Sequence, residues 1–363
     1  MTRAEVLVVG EALVDVVHRA DGQVDETPGG SPANVALALG RLGIEPRLLT
    51  QLGDDARGDR IRHWLEESGV EVMAAPAVRT ATATAHLDAN GSARYAFDIG
   101  WDLDAVAVGD RYAPPALAHA GSIATFLEPG AAKVRQLLTD LRETSLITYD
   151  PNIRPSLLGA RSGARRQAET FIALSDLVKA SDEDLAWLYP GLGPLDAARS
   201  WVAAGAAVVV VTLGQHGAVT VTSDRETRIA GHPAEVVDTV GAGDTFMAAL
   251  IAGLVDLGYR GSEARERLRR IDADTLRSLL TLSAHAAAIT VSRPGADPPR
   301  RDELPGPPSS SVSGADTPDV GPNPPKRPTG GVSAPVQAAA GEAQADAESR
   351  SLTSSRSVTA SAS

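Results

Sequence analysis

The chain has 363 residues, 43% of them hydrophobic and 4% aromatic, and carries a formal net charge of −12 at pH 7. That is enough for one large α/β domain or two ordinary ones, with Ala, Val and Leu filling the core in place of aromatics. The acidic balance argues against nonspecific binding to nucleic acid or an anionic membrane, and the absence of cysteine excludes a disulfide framework, a thiolate metal site and a cysteine nucleophile.

Residues 5–9 are a short apolar run, read as a buried strand. Glu11 follows too soon for a signal peptide, and no apolar run reaches membrane length, so a cytoplasmic protein is expected. Residues 13–19 look extended, with a turn at Asp21-Gly22. Residues 33–42 carry Val35, Leu37, Ala38, Leu39 and Leu42 at helical spacing, closed by Gly43. A strand at 47–51 precedes a helix at 54–68, with Ile61 and Leu65 one turn apart and Gly69 at its end. Residues 80–97 break this alternation. They read as two extended segments joined by Asp88-Ala89-Asn90-Gly91-Ser92, whose Asn-Gly is a hairpin signal. Strands at 122–126 and 146–149 flank a helix at 131–142. Strands at 177–180 and 207–213, the second a valine run of the parallel-sheet kind, enclose helices at 182–188 and 195–204. Residues 246–254 and 279–290 have helical spacing, the second with a strand-like extension to Val291. From 301 to 363 the chain is Pro, Ser, Ala, Gly and Thr, without Phe, Tyr, Trp or an apolar period, and is expected to be a disordered tail. An inert tail is the expectation, with docking of a partner through 322–328 as the alternative.

This order predicts an α/β fold over residues 1–300, with a mainly parallel central sheet and helices on both faces. Segments at about 12–28 and 78–100 are expected to pair into a small sheet off the main body. Its exposed edge suits a lid or a homodimer contact.

The strongest chemical signal is Asp238-Thr239-Val240-Gly241-Ala242-Gly243-Asp244-Thr245-Phe246. Gly241 and Gly243 around Ala242 let the backbone turn tightly and aim N–H groups at an anion, at the start of the helix that follows. Asp244 would repel a phosphate there, and makes sense as acceptor of a proton from a hydroxyl attacking phosphorus. Its structural alternative is a helix cap. No Gly-Lys-Ser/Thr follows, so this is not a Walker A loop, and no Gly-x-Gly-x-x-Gly follows the first strand, which excludes a dinucleotide oxidoreductase. An acidic enzyme handling a nucleotide must supply a local cation from Arg, Lys or Mg²⁺.

Gly29 and Gly30 open close backbone approach, and Asn34 offers a donor and an acceptor to a hydroxyl. Asp15, placed past the end of the first strand, can accept from vicinal hydroxyls; an exposed strand-end acid is the alternative. Arg154, in Asp150-Pro151-Asn152-Ile153-Arg154, has the fork geometry that suits phosphate. Ser181 and Asp184 read as a helix cap with acids in the first turn, to which a role near Mg²⁺ or its waters can be added. Thr212, Gly214 and Gly217 form a strand-to-turn against which an adenine or ribose can lie. The seven histidines show no metal-ligand spacing.

In this order the segments resemble the ribokinase-like, PfkB-type carbohydrate kinase family, over residues 4–297. Gly29-Gly30-x-x-x-Asn34 and Asp238-Thr-Val-Gly-Ala-Gly-Asp244-Thr-Phe carry the resemblance. It implies ATP-dependent phosphorylation of a sugar hydroxyl with Mg²⁺. Asp244 then matches the catalytic base, and Gly241, Ala242 and Gly243 the anion hole. Asp15, Gly30 and Asn34 match sugar-binding positions, and Glu128, in Phe126-Leu127-Glu128-Pro129, a position that can touch the sugar. Thr212 to Gly217 match the nucleotide loop. Ser181 and Asp184 stand where many members have Asn-x-x-Glu, so the metal role of Asp184 rests on a departure from the pattern. Residues 289–296 with Asp238 fall where some members hold a monovalent cation such as K⁺.

Gly10-Glu11-Ala12-Leu13-Val14-Asp15 and Asp150-Pro-Asn-Ile-Arg154-Pro look most like fructokinases. The 2-keto-3-deoxygluconate kinases share Asn-Ile-Arg-Pro, but Tyr95-Ala96-Phe97-Asp98 stands where a Tyr-Tyr-Arg type segment is expected. Asp98 would repel a carboxylate, and Arg154 is assigned to the phosphoryl group. The expected substrates are ATP and a neutral sugar, fructose or a similar hexose. A kinase of ribose, a nucleoside or 2-keto-3-deoxygluconate, and a non-catalytic sugar-binding regulator on this fold, are the alternatives.

Overall fold

The computed structural model of the chain describes residues 6–19, 21–87, 93–103 and 114–306. The chain begins with β1 (Val6–Val9), β2 (Leu13–His18), β3 (Val24–Gly29), α1 (Ser31–Arg41), β4 (Arg47–Gly53), α2 (Ala56–Glu66) and β5 (Glu71–Ala77). It continues with β6 (Thr82–Leu87), β7 (Ala93–Asp98), β8 (Leu117–Gly121), α3 (Gly130–Leu141), β9 (Leu146–Asp150), α4 (Arg161–Leu174), β10 (Leu177–Ser181), α5 (Asp182–Leu188) and α6 (Pro194–Ala203). Then follow β11 (Val208–Thr212), β12 (Ala218–Val221), β13 (Glu226–Ile229), α7 (Ala242–Asp256), α8 (Ala264–Arg269) and α9 (Ala273–Val291).

The central sheet runs β13-β12-β11-β10-β9-β8-β1-β4-β5. Strands β11 to β5 in that order pair in parallel, and β12 and β13 add an antiparallel edge. Both faces are covered, so the parallel strands are apolar on both sides. Val6 and Val8 point into a layer containing α1, α2, α7 and α9, while Leu7 and Val9 point into one containing α3, α4, α5 and α6. Helix α7 is buried along nearly its whole length, packed between α1 and α9, which explains its all-round apolar sequence.

The second sheet has the order β3-β2-β6-β7. The small sheet expected from 12–28 and 78–100 is therefore present. Its register aligns Asp15 with Ala83 and Phe97, and Val14 with Thr82 and Asp98, so the pleat puts these two sets on opposite faces. Arg57 and Arg60 of α2 both bind Glu26 of β3 and moor the sheet to the main body.

Several expectations change. The strand placed at 122–126 lies at Leu117–Gly121 instead, and Ser122–Thr125 is a 3₁₀ turn. Polar His119 disguised the strand; it is buried with Nδ1 3.1 Å from Thr148 Oγ1 on β9. The extension to Val291 is helical, because α9 starts at Ala273 and continues through it. Strand β5 was not anticipated: it is an edge strand, where Pro76 is tolerated. Helix α4 was also missed, its buried face resting on Ala164, Ala168, Phe171 and Ile172 between arginines. The fold also runs past residue 300: Arg301–Glu303 is a 3₁₀ turn, Arg301 pairs with Asp256 at 2.5 Å, and Leu304 packs on the core. The hairpin turn at 88–92 and the remainder of the expected tail, 307–363, lie outside the described residues.

Candidate active site

The start of α7 supplies the centre. Gly241 caps the helix at φ 75, the left-handed region, and a Cβ there would stand 2.7 Å from Cβ of Ala296. The first helical bond runs from Thr245 N–H to Gly241 O at 2.8 Å. The amides of Gly243 and Asp244 therefore have no acceptor within the helix and face outward with the positive end of its dipole. The amide of Ala242, expected in the same anion hole, donates to Thr239 O at 3.3 Å.

Asp244 is not the helix cap but its third residue. It is 6% exposed, and two side chains from the first turn of α1 hold it: Ser31 Oγ donates to Oδ1 at 2.7 Å and Asn34 Nδ2 to Oδ2 at 2.8 Å. The two motifs that lie 210 residues apart thus meet in one hydrogen-bonded cluster. Oδ1 of Asn34 is buried without a partner among the described residues, an acceptor left for a ligand hydroxyl. Gly30 opens α1 at φ 103, and a Cβ there would lie 2.6 Å from Glu11 O, so this turn needs glycine.

Asp15 is on β2 in the small sheet, not at the end of β1. Its Oδ2 occupies the space a Cβ on Gly29 would take, which explains that glycine. Burial pushes its carboxyl up to about 6, with Arg154 pulling the other way. Glu11, 4% exposed, accepts from Ala124 N at 3.1 Å and braces the turn after β8. Burial pushes it up to about 7, against hydrogen bonds from Ser122 and Ala124 and the charge of Arg154. Arg154, assigned from sequence to the phosphoryl group, is exposed and acts electrostatically on these two acids of the Asp15 side.

The C-terminal ends of β10 and β11 bring Ser181 beside Thr212. Ser181 and Asp184 form a capping box, and Asp184 also accepts from Ile153 N at 2.9 Å, tying the loop after β9 to α5. In the loop that follows Thr212, Gly214 and Gly217 adopt φ 53 and φ 95, and the carbonyl of Ile229 stands where a Cβ on Gly217 would be. Glu128 is exposed, and its carboxylate accepts from Ala132 N at the start of α3. Asp238 accepts from Val240 N at 3.0 Å and Gly295 N at 2.9 Å, joining the loops before α7 and after α9. The repulsion argument from Asp98 does not hold: it pairs with Arg79 at 2.7 Å and lies on the sheet face opposite Asp15.

No group of three or more His, Asp or Glu able to hold a metal converges among the described residues. The oxygens of Asp184 take backbone N–H groups, and those of Asp150 take Lys179 and Asn152 N. These acids alone do not form a divalent cage.

Sequence reasoning passed over Ser31, Glu11 and Lys179 as site residues. Lys179 had a signal: in the buried strand Leu177-Val178-Lys179-Ala180-Ser181 alternation points it inward with Leu177. Ser31 and Glu11 had none, since only tertiary packing gives them partners: α7 against α1 for Ser31, and the turn after β8 for Glu11.

Comparison with known proteins completes the description. A family model described as pfkB family carbohydrate kinase matches residues 3–303. A fructokinase of Rhizobium leguminosarum bv. trifolii is 35% identical over 272 residues, 69% of this chain and 79% of that protein. A fructokinase of Klebsiella pneumoniae is 30% identical over 267 residues, 70% of this chain and 85% of that one. Among solved structures, fructokinase with bound ATP from Xylella fastidiosa superposes with TM-score 0.72 at 23% identity, covering 81% of this chain and 94% of that one. A fructokinase double mutant from Vibrio cholerae O395, in a fructose, ADP and potassium ion bound form, gives TM-score 0.68 at 22% identity, covering 82% and 95%. At these identities the structures establish the ribokinase-like fold. The family match over residues 3–303 and the relative at 35% identity show it: the chain belongs to the pfkB family of carbohydrate kinases.

Proposed function

We propose that the protein transfers the γ-phosphoryl group of ATP to a hydroxyl of fructose or a similar neutral hexose. The observation that carries this reading is the Asp244 carboxylate, held by Ser31 and Asn34 at the open start of α7. The hydroxyl oxygen forms a bond to the γ-phosphorus, the bond from that phosphorus to the bridging oxygen breaks, ADP leaves with that oxygen, and Asp244 takes the hydroxyl proton. The amides of Gly243 and Asp244 face the charge on the transferring group. Asp15 and Oδ1 of Asn34 accept from sugar hydroxyls, with Arg154 balancing the two acids on that side. Ser181, Thr212, Gly214 and Gly217 line the nucleotide side.

A magnesium ion bound with the nucleotide would neutralise phosphate charge; the chain's acids fit it only as outer partners, Asp184 foremost. A monovalent cation between the loops joined by Asp238 is the second ion in this reading, in line with the potassium in the Vibrio cholerae protein. The small sheet serves as a lid over the sugar, and its edge as the contact of a homodimer. Named relatives at 30–35% identity support fructose. The test is ADP release with fructose, ribose, a nucleoside and 2-keto-3-deoxygluconate compared by kcat/KM. The expected result is a preference for fructose; no turnover with any sugar would leave a binding protein, and a preference for the acid would overturn the neutral-sugar reading.

A further inference from the structure

A buried ion pair lies directly behind the anion loop. Lys179 on β10 donates to Asp150 Oδ2 on β9 at 2.7 Å, and the two residues are 4% and 1% exposed. Both side chains point to the α7 face of the sheet, since Leu146, four residues before Asp150 on β9, and Leu177, two residues before Lys179 on β10, lie in the core layer of α7. The ammonium reaches the backbone of the anion loop: a Cβ built on Gly243 would stand 3.0 Å from Lys179 Nζ. A glycine at 243 leaves room for the lysine close under the first turn of α7.

We infer that Lys179 is a positioning residue for phosphoryl transfer, a fixed positive charge that acts through the Gly243 backbone on the group transferred above it, with Asp150 as its holder. This rests on the kinase reading above. The titratable and charged groups that face Lys179 are Asp150 on β9, Asp184 on α5, Asp244 on α7 and His119 on β8. Lys179 is the one positive charge among them. Burial holds His119 down at about 3, with Lys179 adding to the effect, so it stays neutral. Burial also works against the lysine's own charge, but Asp150, Asp184 and Asp244 outweigh it, and the ammonium sits above the ordinary lysine value. A chain with net charge −12 that gathers three acids around Lys179 repels a polyphosphate; a cation that needs no delivery by the substrate offsets this at the point of reaction. Fixed inside the sheet, it costs no reorganisation during transfer. Asp150 is the lesser partner in this scheme: burial pushes it up to about 6 in spite of Lys179, and its other oxygen accepts from Asn152 N, which shapes the loop leading to Arg154.

The test separates a working charge from a structural pair. Lys179→Met alone leaves a buried carboxylate without its partner and is prone to misfold. The double variant Lys179→Met with Asp150→Asn removes both charges and nearly keeps the volume. A structural pair predicts that the double variant recovers wild-type turnover. The inference predicts that it folds yet turns over about 10–100-fold more slowly, with sugar KM within about threefold, because Asp15 and Asn34 are untouched. Asp150→Asn alone, which keeps the lysine but weakens its holder, should lower kcat less than the double variant does. A folded double variant with wild-type kcat would overturn the inference. A second measurement needs no variant: in the wild-type protein with ¹⁵N-labelled lysine, the Lys179 Nζ resonance should move on adding a non-hydrolysable ATP analogue and stay put with adenosine. An unchanged resonance with the analogue would also overturn it. ADP release by the wild-type enzyme, measured alongside, tests the kinase reading by itself.

Discussion

Replacing Asp244 by Asn removes a proton acceptor and little else, and the geometry allows the loss to be apportioned. The carboxylate accepts one bond from Ser31 Oγ at 2.7 Å and one from Asn34 Nδ2 at 2.8 Å. An amide fits the same space with its oxygen toward Asn34, which can only donate from Nδ2, and its nitrogen toward Ser31, whose hydroxyl rotates to accept. Both bonds survive without charge assistance, at a cost of about 1 kcal/mol each. That lowers the melting temperature by about 4–8 °C. The chemical loss is larger: general-base catalysis contributes about 10²–10⁴ in rate, or about 2.7–5.4 kcal/mol at 1.36 kcal/mol per decade. Initial rates of ADP release at saturating nucleotide and sugar read kcat, and calorimetric titration reads nucleotide affinity, expected within about threefold of wild type. A folded variant with kcat within about fivefold of wild type would refute Asp244 as the base.

Glu11→Gln tests the buried acid behind the sugar side. Its carboxyl is raised from 4.5 to about 7, chiefly by burial, so its stabilising contribution is complete below 4.5 and disappears as pH rises through about 7. The gap converts to about 3 kcal/mol at 1.36 kcal/mol per pH unit. The fall in ligand-free melting temperature between pH 5 and pH 8 should shrink in the variant, with Asp15 and Asp150, both raised to about 6, keeping part of it; identical slopes would contradict the burial argument. A chain ending at Gly306 keeps every described contact of the fold. One ending at Arg300 loses the packing of Leu304 and the pairs Arg301–Asp256 and Arg293–Glu303, about 1–3 kcal/mol together, and should melt about 2–10 °C lower by calorimetry; equal melting would make those contacts idle. Hydrogen exchange in β6 and β7 should slow at saturating fructose, and unchanged exchange there would argue against a lid.

Much of this protein was readable from local chemistry. The valine run of β11 could only be a strand buried on both faces. The small sheet followed from the Asn-Gly turn between its alternating segments. Gly241 and Gly243 marked the turn that opens α7, because left-handed backbone at Gly241 and close approach at Gly243 favour glycine. Asn34 and Asp244 were each suspect for their place in a motif, yet only the crossing of α1 and α7 made them partners, since hydrogen bonds across 210 residues leave no mark on local spacing. The failures share one cause. Asp98 looked like a neighbour of the sugar because it ends the segment that stands where a Tyr-Tyr-Arg type segment is expected, but a pleated sheet sends adjacent side chains to opposite faces, and Arg79 claims it. Leu304 looked like tail by composition, which says nothing of a single apolar side chain finding the core. Lys179 read as an ordinary charged residue. Burial turned it into a fixed cation, because a sheet between two helix layers excludes water, and an ammonium without water persists only where carboxylates surround it.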